Sequence, residues 1–434
     1  MKNWATALRA LSPRQVAIAV FLMAFALRVA GVLATHQYRD LERFELERTA
    51  ISLAQTGVFG NPYAIPTGPT AHLSPGYPLA LAALFRIFGT GIAGEIVKQM
   101  LACACSAAVC SFIPALGRVM SIPAAASVGA GLFAALLPLK FRTETQGDWE
   151  TPFGALGLML VMAVTLMAWR GAPLRWHVAI WNGLAWSVAL LFVSAFLPLF
   201  FVVMIIGVAM AGSKAYPRFV SVRYASVRYV AVVCLVVALS LAPWAWRNWR
   251  ALGSPVVMRD NTGLELRVSN NDLAGPSEER NYENGVYHRY HPLQSEQEAR
   301  KVAELGEIAY NRLAMAEARA WIEAHPARFL QLTLQRAQWY WFFSDGRFLL
   351  KALLLGIYTA LALVGVGYLY RRDRAAFAIV LAVLVMVPLP NYLVHVGLRH
   401  RYMIDWLLTL LASLTVWEWT AGRSSREPTK FKPA

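Results

Sequence analysis

Four carboxylates stand close together early in the chain, at Asp40, Glu42, Glu45 and Glu47, with arginines interleaved among them. In a helix, Glu42 and Glu45 share a face because they are three positions apart, whereas Glu47 points elsewhere. A carboxylate held on such a face can act as a general base that removes a proton from a reacting hydroxyl group. The same pattern also fits a solvated amphipathic helix whose acids form only local ion pairs.

A second group of acids, Glu144, Asp148 and Glu150, lies in a polar stretch between two apolar runs. A charged turn is the simplest interpretation of this group. Glu150 stands apart because it begins an otherwise apolar run, and a charge in contact with lipid is expensive. We therefore expect Glu150 to face protein.

A basic group follows near the end of the chain, where His395, Arg399, His400 and Arg401 occur together. Guanidinium groups form bidentate hydrogen bonds with phosphate, so an anionic ligand is one explanation for this group. Binding of lipid head groups is the other.

Other chemistry-bearing motifs are missing from the sequence. It contains no phosphate-binding glycine loop, dinucleotide fingerprint, zinc-type spacing or nucleophile elbow in a fitting context. The four cysteines lie inside apolar runs and are too few for a disulfide framework, so we interpret them as buried small hydrophobic residues. Nothing in the sequence requires a metal ion or another cofactor.

The elements that must position these groups are membrane spans. Hydrophobic residues make up 57% of the 434 residues and charged residues 15%, whereas about 25% of an average globular domain is charged. This composition excludes a disordered chain and disfavours a single soluble globule. The fold class predicted from it is an all-α polytopic membrane protein.

A span needs about 20 predominantly apolar residues. Ten stretches meet this description, and they are residues 15–35, 92–115, 122–139, 151–169, 177–194, 196–212, 229–247, 348–369, 375–393 and 403–421. The pair around Pro198 also fits one long broken helix. The first run lacks a clear cleavage site, so we interpret it as a retained anchor.

The net charge of +16 is explained by the short loops between these spans. In a ten-span topology, the lysines and arginines before the first span fall on the same side as those of five later segments. These five segments contain Arg118, Arg170, Arg223, Arg372 and Arg423. The positive-inside rule then places both termini in the cytoplasm. Nucleic-acid binding is not needed to explain the charge.

This topology places two long segments, 36–91 and 248–347, on the extracytoplasmic side. It divides the chain into an N-terminal membrane module (1–247), a partly helical loop region (248–347) and C-terminal spans with a short cytoplasmic tail (348–434). The basic group around Arg399 falls on the extracytoplasmic side, against the general bias, and this exception calls for a reason such as an anionic ligand.

Helices are also predicted within the two long segments. They are expected from residue 40 to 54, from 79 to 88 as a short interfacial helix, from 294 to 324, and onward to 343 after a break at His325-Pro326.

Several stretches resemble GT-C glycosyltransferases of the family 39-like type, which include bacterial relatives of the protein-mannosyltransferases and aminoarabinose transferases. They are residues 44–59 (FELERTAISLAQTGVF), 67–78 (TGPTAHLSPGYP), 243–248 (PWAWRN), 259–266 (RDNTGLEL), 305–310 (LGEIAY) with His325-Pro326, and 395–402 (HVGLRHRY). Each motif is loose, but together they cover most of the chain in the right order.

The resemblance implies a function. Such enzymes pass a sugar from a polyprenyl-phosphate carrier to an acceptor hydroxyl on the extracytoplasmic side, usually with inversion. It therefore implies a lipid-linked donor, a lipid, glycan or protein acceptor, contact with membrane lipids, and a location in the bacterial cytoplasmic (inner) membrane. Metal dependence varies among these enzymes.

The resemblance also implies roles for residues. An acid of the first loop acts as base, and the order of preference here is Glu45, Glu42 and Asp40. Cationic residues bind the carrier phosphate, and the candidates are Arg399 and Arg401 with His400 beside them. Three further residues, which are expected to line a substrate groove, are His72, Tyr77 and Glu150. Loop packing is an equal explanation for His72 and Tyr77.

Two other functions remain open from the sequence. One is a non-catalytic transporter or flippase of lipid-linked glycans, which should carry ionisable or broken-helix sites near the membrane midplane. The other is a structural or assembly protein of the cell envelope that docks through tryptophan-rich loops. Loss of sugar transfer on neutralising the first-loop acids separates an enzyme from both.

Overall fold

The computed structural model describes residues 12–136, 141–170, 176–211, 223–343 and 349–424. Within these ranges the chain is helical, and extended pairing is limited to two isolated bridges. The membrane part contains α1 (Pro13–Thr35), α4 (Ile92–Val119), α5 (Ala124–Leu136), α7 (Thr151–Arg170), α8 (Trp176–Phe192), α9 (Leu197–Ala211), α10 (Arg223–Leu252), α17 (Leu349–Arg372), α18 (Arg374–Met386), α19 (Leu389–Leu393) and α20 (Leu398–Ser424).

The remaining helices belong to the polar segments. They are α2 (Glu45–Thr56), α3 (Gly76–Phe88), α6 (Phe141–Thr145), α11 (Thr262–Ser269), α12 (Glu278–Glu283), α13 (Val286–Tyr290), α14 (Glu296–Leu305), α15 (Glu307–Ala324) and α16 (Pro326–Trp341). Two single 3₁₀ turns, Gln37–Arg39 and Ser194–Phe196, connect neighbouring helices.

All ten predicted spans coincide with helices, although residues 137–139, 212 and 348 of these spans lie outside the described residues. Six apolar helices in the described ranges are long enough to cross a membrane: α1, α4, α7, α10, α17 and the pair α18–α19. Three predicted spans correspond to the shorter apolar helices α5, α8 and α9, and the last to α20. The protein is therefore a multi-pass membrane protein, as the composition predicted.

The first span shows how the sequence sets its own limits. Ser12 caps α1, with its side chain accepting the Gln15 N–H while the Gln15 side chain accepts the Ser12 N–H. Pro13 occupies the first helical position, where its missing N–H costs nothing. The helix ends at His36, which adopts a left-handed conformation with φ of 52°.

The core lies where α20 packs along α17, α5 and α7, and where α4 packs against α1 and α5. The α17–α20 contact is close because Gly365 carries no side chain: a Cβ at this position would overlap the backbone of Leu411. Small residues allow helix backbones to approach in this way within membranes.

One end of the bundle gathers the short basic loops. Arg170 forms an ion pair with Asp373 and donates to the carbonyl oxygen of Val119, while Ser121 donates to Asp373 at 3.0 Å. Three loops that the ten-span topology placed on one side therefore meet. Several of the other loop cations lie outside the described residues, namely Lys2, Arg9, Arg175, Lys214, Arg218, Arg426, Lys430 and Lys432.

The two long polar segments meet at the opposite end. Ala64 donates to the carbonyl oxygen of Pro292 at 3.1 Å, and Asp260 donates to that of Ala71 at 2.9 Å. The carboxylate of Glu307 accepts from the Ala71 N–H at 2.6 Å and from the Thr70 hydroxyl. The loop before α3 is thus attached directly to the second segment.

The helix predicted from residue 40 is wrong in its start, because α2 begins only at Glu45. The Asp40 carboxylate accepts the Glu42 N–H at 3.0 Å, which stabilises a turn instead of a helix. Phe44 is extended, and its N–H contacts the Glu47 carboxylate at 3.4 Å. Glu42 and Glu45 therefore do not share a helix face.

The helical pattern predicted over 294–324 is interrupted once. Gly306 separates α14 from α15 and adopts a φ of 78°. A residue with a side chain would adopt this backbone angle only under strain. The predicted break at His325-Pro326 and the helix that follows it are both present.

Candidate active site

A cavity of about 210 Å³ lies where the two polar segments meet the start of α20. Four carboxylates, two arginines and four histidines line it: Glu45, Glu150, Glu265, Glu278, Arg259, Arg399, His72, His291, His395 and His400. Aromatic side chains of Phe44, Trp149, Tyr282 and Tyr287 complete much of the wall. An apolar pocket with convergent charged groups is the usual form of a ligand site.

Glu45 is the first residue of α2, and only 5% of it is exposed. One carboxylate oxygen, Oε2, has no hydrogen-bond partner among the described residues. Burial raises the pKa of the Glu45 carboxyl above its ordinary value, and the positive charges of Arg399 and Arg259 reduce that rise. Glu45 therefore presents a carboxylate of increased basicity with an oxygen available to a ligand.

His291 is a neighbour of this carboxylate. Its Nδ1 accepts the Leu293 N–H at 3.1 Å, so the proton of the neutral ring sits on Nε2, which lies 3.5 Å from Glu45 Oε1. Burial lowers the pKa of His291 to about 4, which keeps the ring neutral at neutral pH. The Nε2–H group therefore lies near Oε1 of Glu45, while Oε2 has no hydrogen-bond partner among the described residues.

Arg399 lies at the start of α20 on the other side of the cavity. Its guanidinium carbon is 3.5 Å from the centroid of the Trp149 ring, and its Nη2 pairs with Glu278 Oε1 at 3.1 Å. The Trp149 ring holds the guanidinium plane by stacking against one face, and Glu278 pairs with the edge. The structure thus brings the preferred candidate base, Glu45, and one of the two candidate phosphate-binding arginines, Arg399, into one cavity.

His400 and Arg401, the neighbours of Arg399, have different surroundings. His400 lines the cavity, and its Nε2 is 3.3 Å from Nε of Arg399. Arg401 does not line it: its guanidinium pairs with Asp405 at 2.9 Å and donates to the Trp341 carbonyl oxygen at 2.7 Å. Arg401 is thus placed to connect α20 to the end of α16, and the expectation that it faces the cavity is wrong.

The other two first-loop acids lie elsewhere. Glu42 is exposed and lines a second, larger cavity of about 690 Å³. Asp40 is exposed and lines neither cavity. Of the three candidate bases, Glu45 alone shares the smaller cavity with Arg399.

Glu47 forms a separate buried network. It pairs with Arg43 at 2.6 Å and with Lys98 at 2.7 Å, and Lys98 also pairs with Glu95 at 2.9 Å and with Asp148 at 2.9 Å. This network attaches α2 to the N-terminal end of α4 and to the turn before α7.

Of the three residues expected to line a substrate groove, two line the smaller cavity and one does not. His72 and Glu150 line the smaller cavity, so Glu150 faces protein as predicted. Tyr77 does not line it: its hydroxyl donates to the Gly147 carbonyl oxygen, and its ring packs 5.0 Å from that of Phe153. Tyr77 thus has the packing role that the sequence left open.

Several cavity residues had no role in the sequence analysis, notably Glu278, Arg259, His291 and Trp149. Arg259 donates to the His72 carbonyl oxygen at 2.8 Å and so also supports the loop. Arg259 and Glu265 occur in one of the resembling stretches, which was the available signal. Glu278 and His291 stand in irregular polar sequence, where no periodicity marks a residue as inward-facing.

The two cavities adjoin. Arg399, Trp149, Glu278, Phe44 and Tyr282 line both. The larger cavity adds the cationic residues Arg142 and Lys351. Arg399 therefore stands at the boundary, within reach of a ligand that occupies both. Among the described residues, no group of three or more histidine, cysteine or acidic side chains has the arrangement of a metal site.

Comparisons with known proteins give the fold. No family model and no curated protein matches the sequence. Among solved structures, the chain is similar to the archaeal oligosaccharyltransferase AglB from Archaeoglobus fulgidus in complex with an inhibitory peptide and a dolichol-phosphate, with 14% identity, a TM-score of 0.55, and 96% of this chain and 52% of that chain covered.

A second structure of the Archaeoglobus fulgidus oligosaccharyltransferase, tethered to an acceptor peptide, gives 15% identity and a TM-score of 0.56, covering 95% of this chain and 51% of that one. The apo form of that protein gives 14% identity and a TM-score of 0.55, with 96% of this chain and 53% of that chain covered. The chain thus spans about half the length of these proteins. The likeness confirms the predicted all-helical, GT-C type membrane fold.

Proposed function

We propose that this protein is a membrane glycosyltransferase that moves a sugar from a polyprenyl-phosphate carrier to a hydroxyl group of a lipid, glycan or protein acceptor. The observation that carries the proposal is the placement of Glu45 and Arg399 in one cavity at one end of a multi-pass bundle. The similarity to a fold whose solved example binds a dolichol-phosphate supports a lipid-linked donor.

In the proposed reaction Glu45 is the general base. The acceptor oxygen attacks the anomeric carbon of the sugar, and Glu45 Oε2 takes the hydroxyl proton as the new carbon–oxygen bond forms. The bond from the anomeric carbon to the phosphate oxygen breaks, and the attack inverts the configuration. The raised pKa of the buried carboxyl makes it a better proton acceptor than an exposed glutamate.

Arg399 stabilises the negative charge that develops on the departing phosphate. A guanidinium fixed in a partly buried site does so without reorganising during the reaction. Because phosphate is already a good leaving group, a second carboxyl group acting as an acid is not needed. The reaction as proposed requires no metal ion.

We assign the carrier phosphate to the boundary between the two cavities, where Arg399 is reached from both. The sugar then extends toward Glu45, and the smaller cavity also admits the acceptor hydroxyl. We further propose the family 39-like type, transfer of a hexosyl or pentosyl group, and a bacterial inner-membrane location with the site on the extracytoplasmic face.

The test is sugar transfer from a lipid-linked donor by purified Glu45→Gln protein, with Asp40→Asn as the matched control because Asp40 lines neither cavity. Removing the base should lower kcat by about 10²- to 10⁴-fold, while Asp40→Asn retains the activity of the unchanged protein. Full activity in a correctly folded Glu45→Gln protein contradicts the proposal.

A further inference from the structure

Arg399 already has an anionic partner in this structure. Glu278 Oε1 lies 3.1 Å from its Nη2, and each side chain is only 17% exposed. One face of the guanidinium stacks on Trp149, with 3.5 Å between the guanidinium carbon and the ring centroid. A carboxylate and a phosphate bind guanidinium through the same donors, so Glu278 occupies a position that a phosphate oxygen would need.

The segment that carries Glu278 is attached to the segment that leads into Arg399. The Glu278 N–H donates to the Val396 carbonyl oxygen at 2.9 Å, and the Val396 N–H donates to that of Pro276 at 3.3 Å. Ser277 caps α12 by accepting the Arg280 N–H at 3.3 Å. The carboxylate is therefore held next to Arg399 by the backbone of both segments.

Gly397 leaves room for this carboxylate. A Cβ at Gly397 would overlap Oε2 of Glu278, and it would lie at ordinary contact distance, 3.7 Å, from the Arg399 side chain. With the Glu278 carboxylate in its present position, a side chain at residue 397 would have to displace it. The space beside Arg399 is thus shaped around an acidic side chain.

We propose that Glu278 competes with the carrier phosphate for Arg399, so that it weakens retention of the phosphate and promotes release of the spent carrier. This inference rests on the proposed function. Glu278 lines both cavities, so open space lies beside its side chain on two sides. Burial raises the pKa of the Glu278 carboxyl, the positive charge of Arg399 opposes this rise, and the nearby carboxylates of Glu279, Glu265 and Glu45 add to it.

The first experiment measures binding of farnesyl phosphate to the full-length protein in detergent, with farnesol as the neutral probe. Glu278→Gln should bind farnesyl phosphate about tenfold more tightly, because the competing charge is removed and the competent fraction of Arg399 rises. Farnesol binding should not change. Glu283→Gln is the matched control, since Glu283 lies on the same helix and pairs locally with Arg280 at 2.8 Å.

Gly397→Ala provides a second route to the same state. The added methyl group displaces the carboxylate without removing it, and it should also tighten farnesyl phosphate binding. The alternative role for Glu278 is to orient Arg399. In that case both variants bind farnesyl phosphate more weakly, and that result overturns the inference.

The failure of this inference is distinguishable from that of the proposed function. If Arg399→Gln leaves farnesyl phosphate binding unchanged, the proposed function itself is contradicted. If Arg399→Gln weakens binding but Glu278→Gln does not strengthen it, only the competition is refuted.

Turnover gives a separate readout. With a transferable donor, Glu278→Gln should lower both KM and kcat and increase inhibition by added farnesyl phosphate, because the spent carrier leaves more slowly. A raised KM with unchanged inhibition contradicts the competition.

Discussion

At the scale of single residues, the proposed proton transfer depends on how Glu45 is held. It begins α2, where the free N–H groups of the first turn favour a negative charge. His291 Nε2 lies 3.5 Å from one of its oxygens, and the second oxygen has no hydrogen-bond partner among the described residues. Burial opposes the charge and raises the pKa of the carboxyl. These effects oppose each other, and burial prevails, so the Glu45 carboxylate is a stronger proton acceptor than an exposed glutamate.

The raised pKa predicts the acid limb of the pH profile. Only the ionised form of Glu45 accepts a proton, so kcat/KM should fall as the pH drops through the pKa of this group. Because burial shifts that pKa upward, the fall should begin above the ordinary glutamate range of about 4.3. A profile of kcat/KM from pH 4 to 8 checks this.

Asp40→Asn is the control for this profile and should show the same acid limb as the unchanged protein. A rate that is independent of pH down to the ordinary glutamate range would show that no buried carboxyl serves as base.

At the scale of elements, α15 attaches the loop before α3 to the second polar segment. Glu307 begins α15 and accepts from Thr70 and Ala71, next to the cavity residue His72. Arg247 of α10 donates to the Thr70 carbonyl oxygen at 2.6 Å from another direction. The loop that carries His72 is therefore positioned by two distant helices.

This attachment predicts a pH-dependent stability. Burial raises the pKa of Glu307 to about 7, so the folded state binds its proton more tightly than the unfolded state does. The associated stability is present below the unfolded pKa of about 4.3 and is lost as the pH rises through about 7. The melting temperature in detergent should thus fall from pH 5 to 8, and less so in Glu307→Gln.

The matched control is Glu304→Gln, because Glu304 is an exposed acid at the end of α14. It should retain the pH dependence of the unchanged protein. The same dependence in Glu307→Gln would refute the role given to this carboxyl.

Helix positions could be predicted from the sequence where apolar runs and proline breaks mark them, as at His325-Pro326. The start of α2 could not. The alternation of acids and arginines from Asp40 to Arg48 fits a longer helix, but the Asp40 side chain binds a nearby N–H group and competes with helix formation. That local competition removed Glu42 from the face it was expected to share with Glu45.

At the scale of the whole molecule, the two ends of the bundle carry different kinds of loops. The short basic loops meet around Asp373, while the cavity lies at the opposite end, between the two long polar segments. A lipid-linked donor suits this arrangement, because its tail can stay in the bilayer while its phosphate reaches Arg399.

The predicted orientation can be measured by labelling intact cells with a membrane-impermeant maleimide. In a background with the four native cysteines replaced by alanine, a cysteine introduced by Gln297→Cys should react, because Gln297 is exposed on α14. A cysteine introduced by Arg371→Cys, at the end of α17, should react only after permeabilisation. The reverse pattern would place the cavity in the cytoplasm.

The charge pattern of the sequence marked the two groups that contain Glu45 and Arg399, because unusual charge next to an apolar run is visible in a linear pattern, and the preference for Glu45 came from the family resemblance. It could not separate Arg399 from Arg401. These arginines are two positions apart at the start of α20, so they point in different directions, and only the packing of α16 and α17 shows which one is already paired. Glu278 was missed because its approach to Arg399 depends on contact between distant segments.

The placement of the donor between Arg399 and Glu45 is tested by a cryo-electron microscopy structure of the Glu45→Gln protein with a bound polyprenyl-phosphate sugar. We expect a phosphate oxygen at hydrogen-bond distance from the Arg399 guanidinium, about 2.8 Å, and the anomeric carbon in the smaller cavity on the side of residue 45. A phosphate bound away from Arg399, or a sugar outside the cavity that Glu45 lines, would contradict the account.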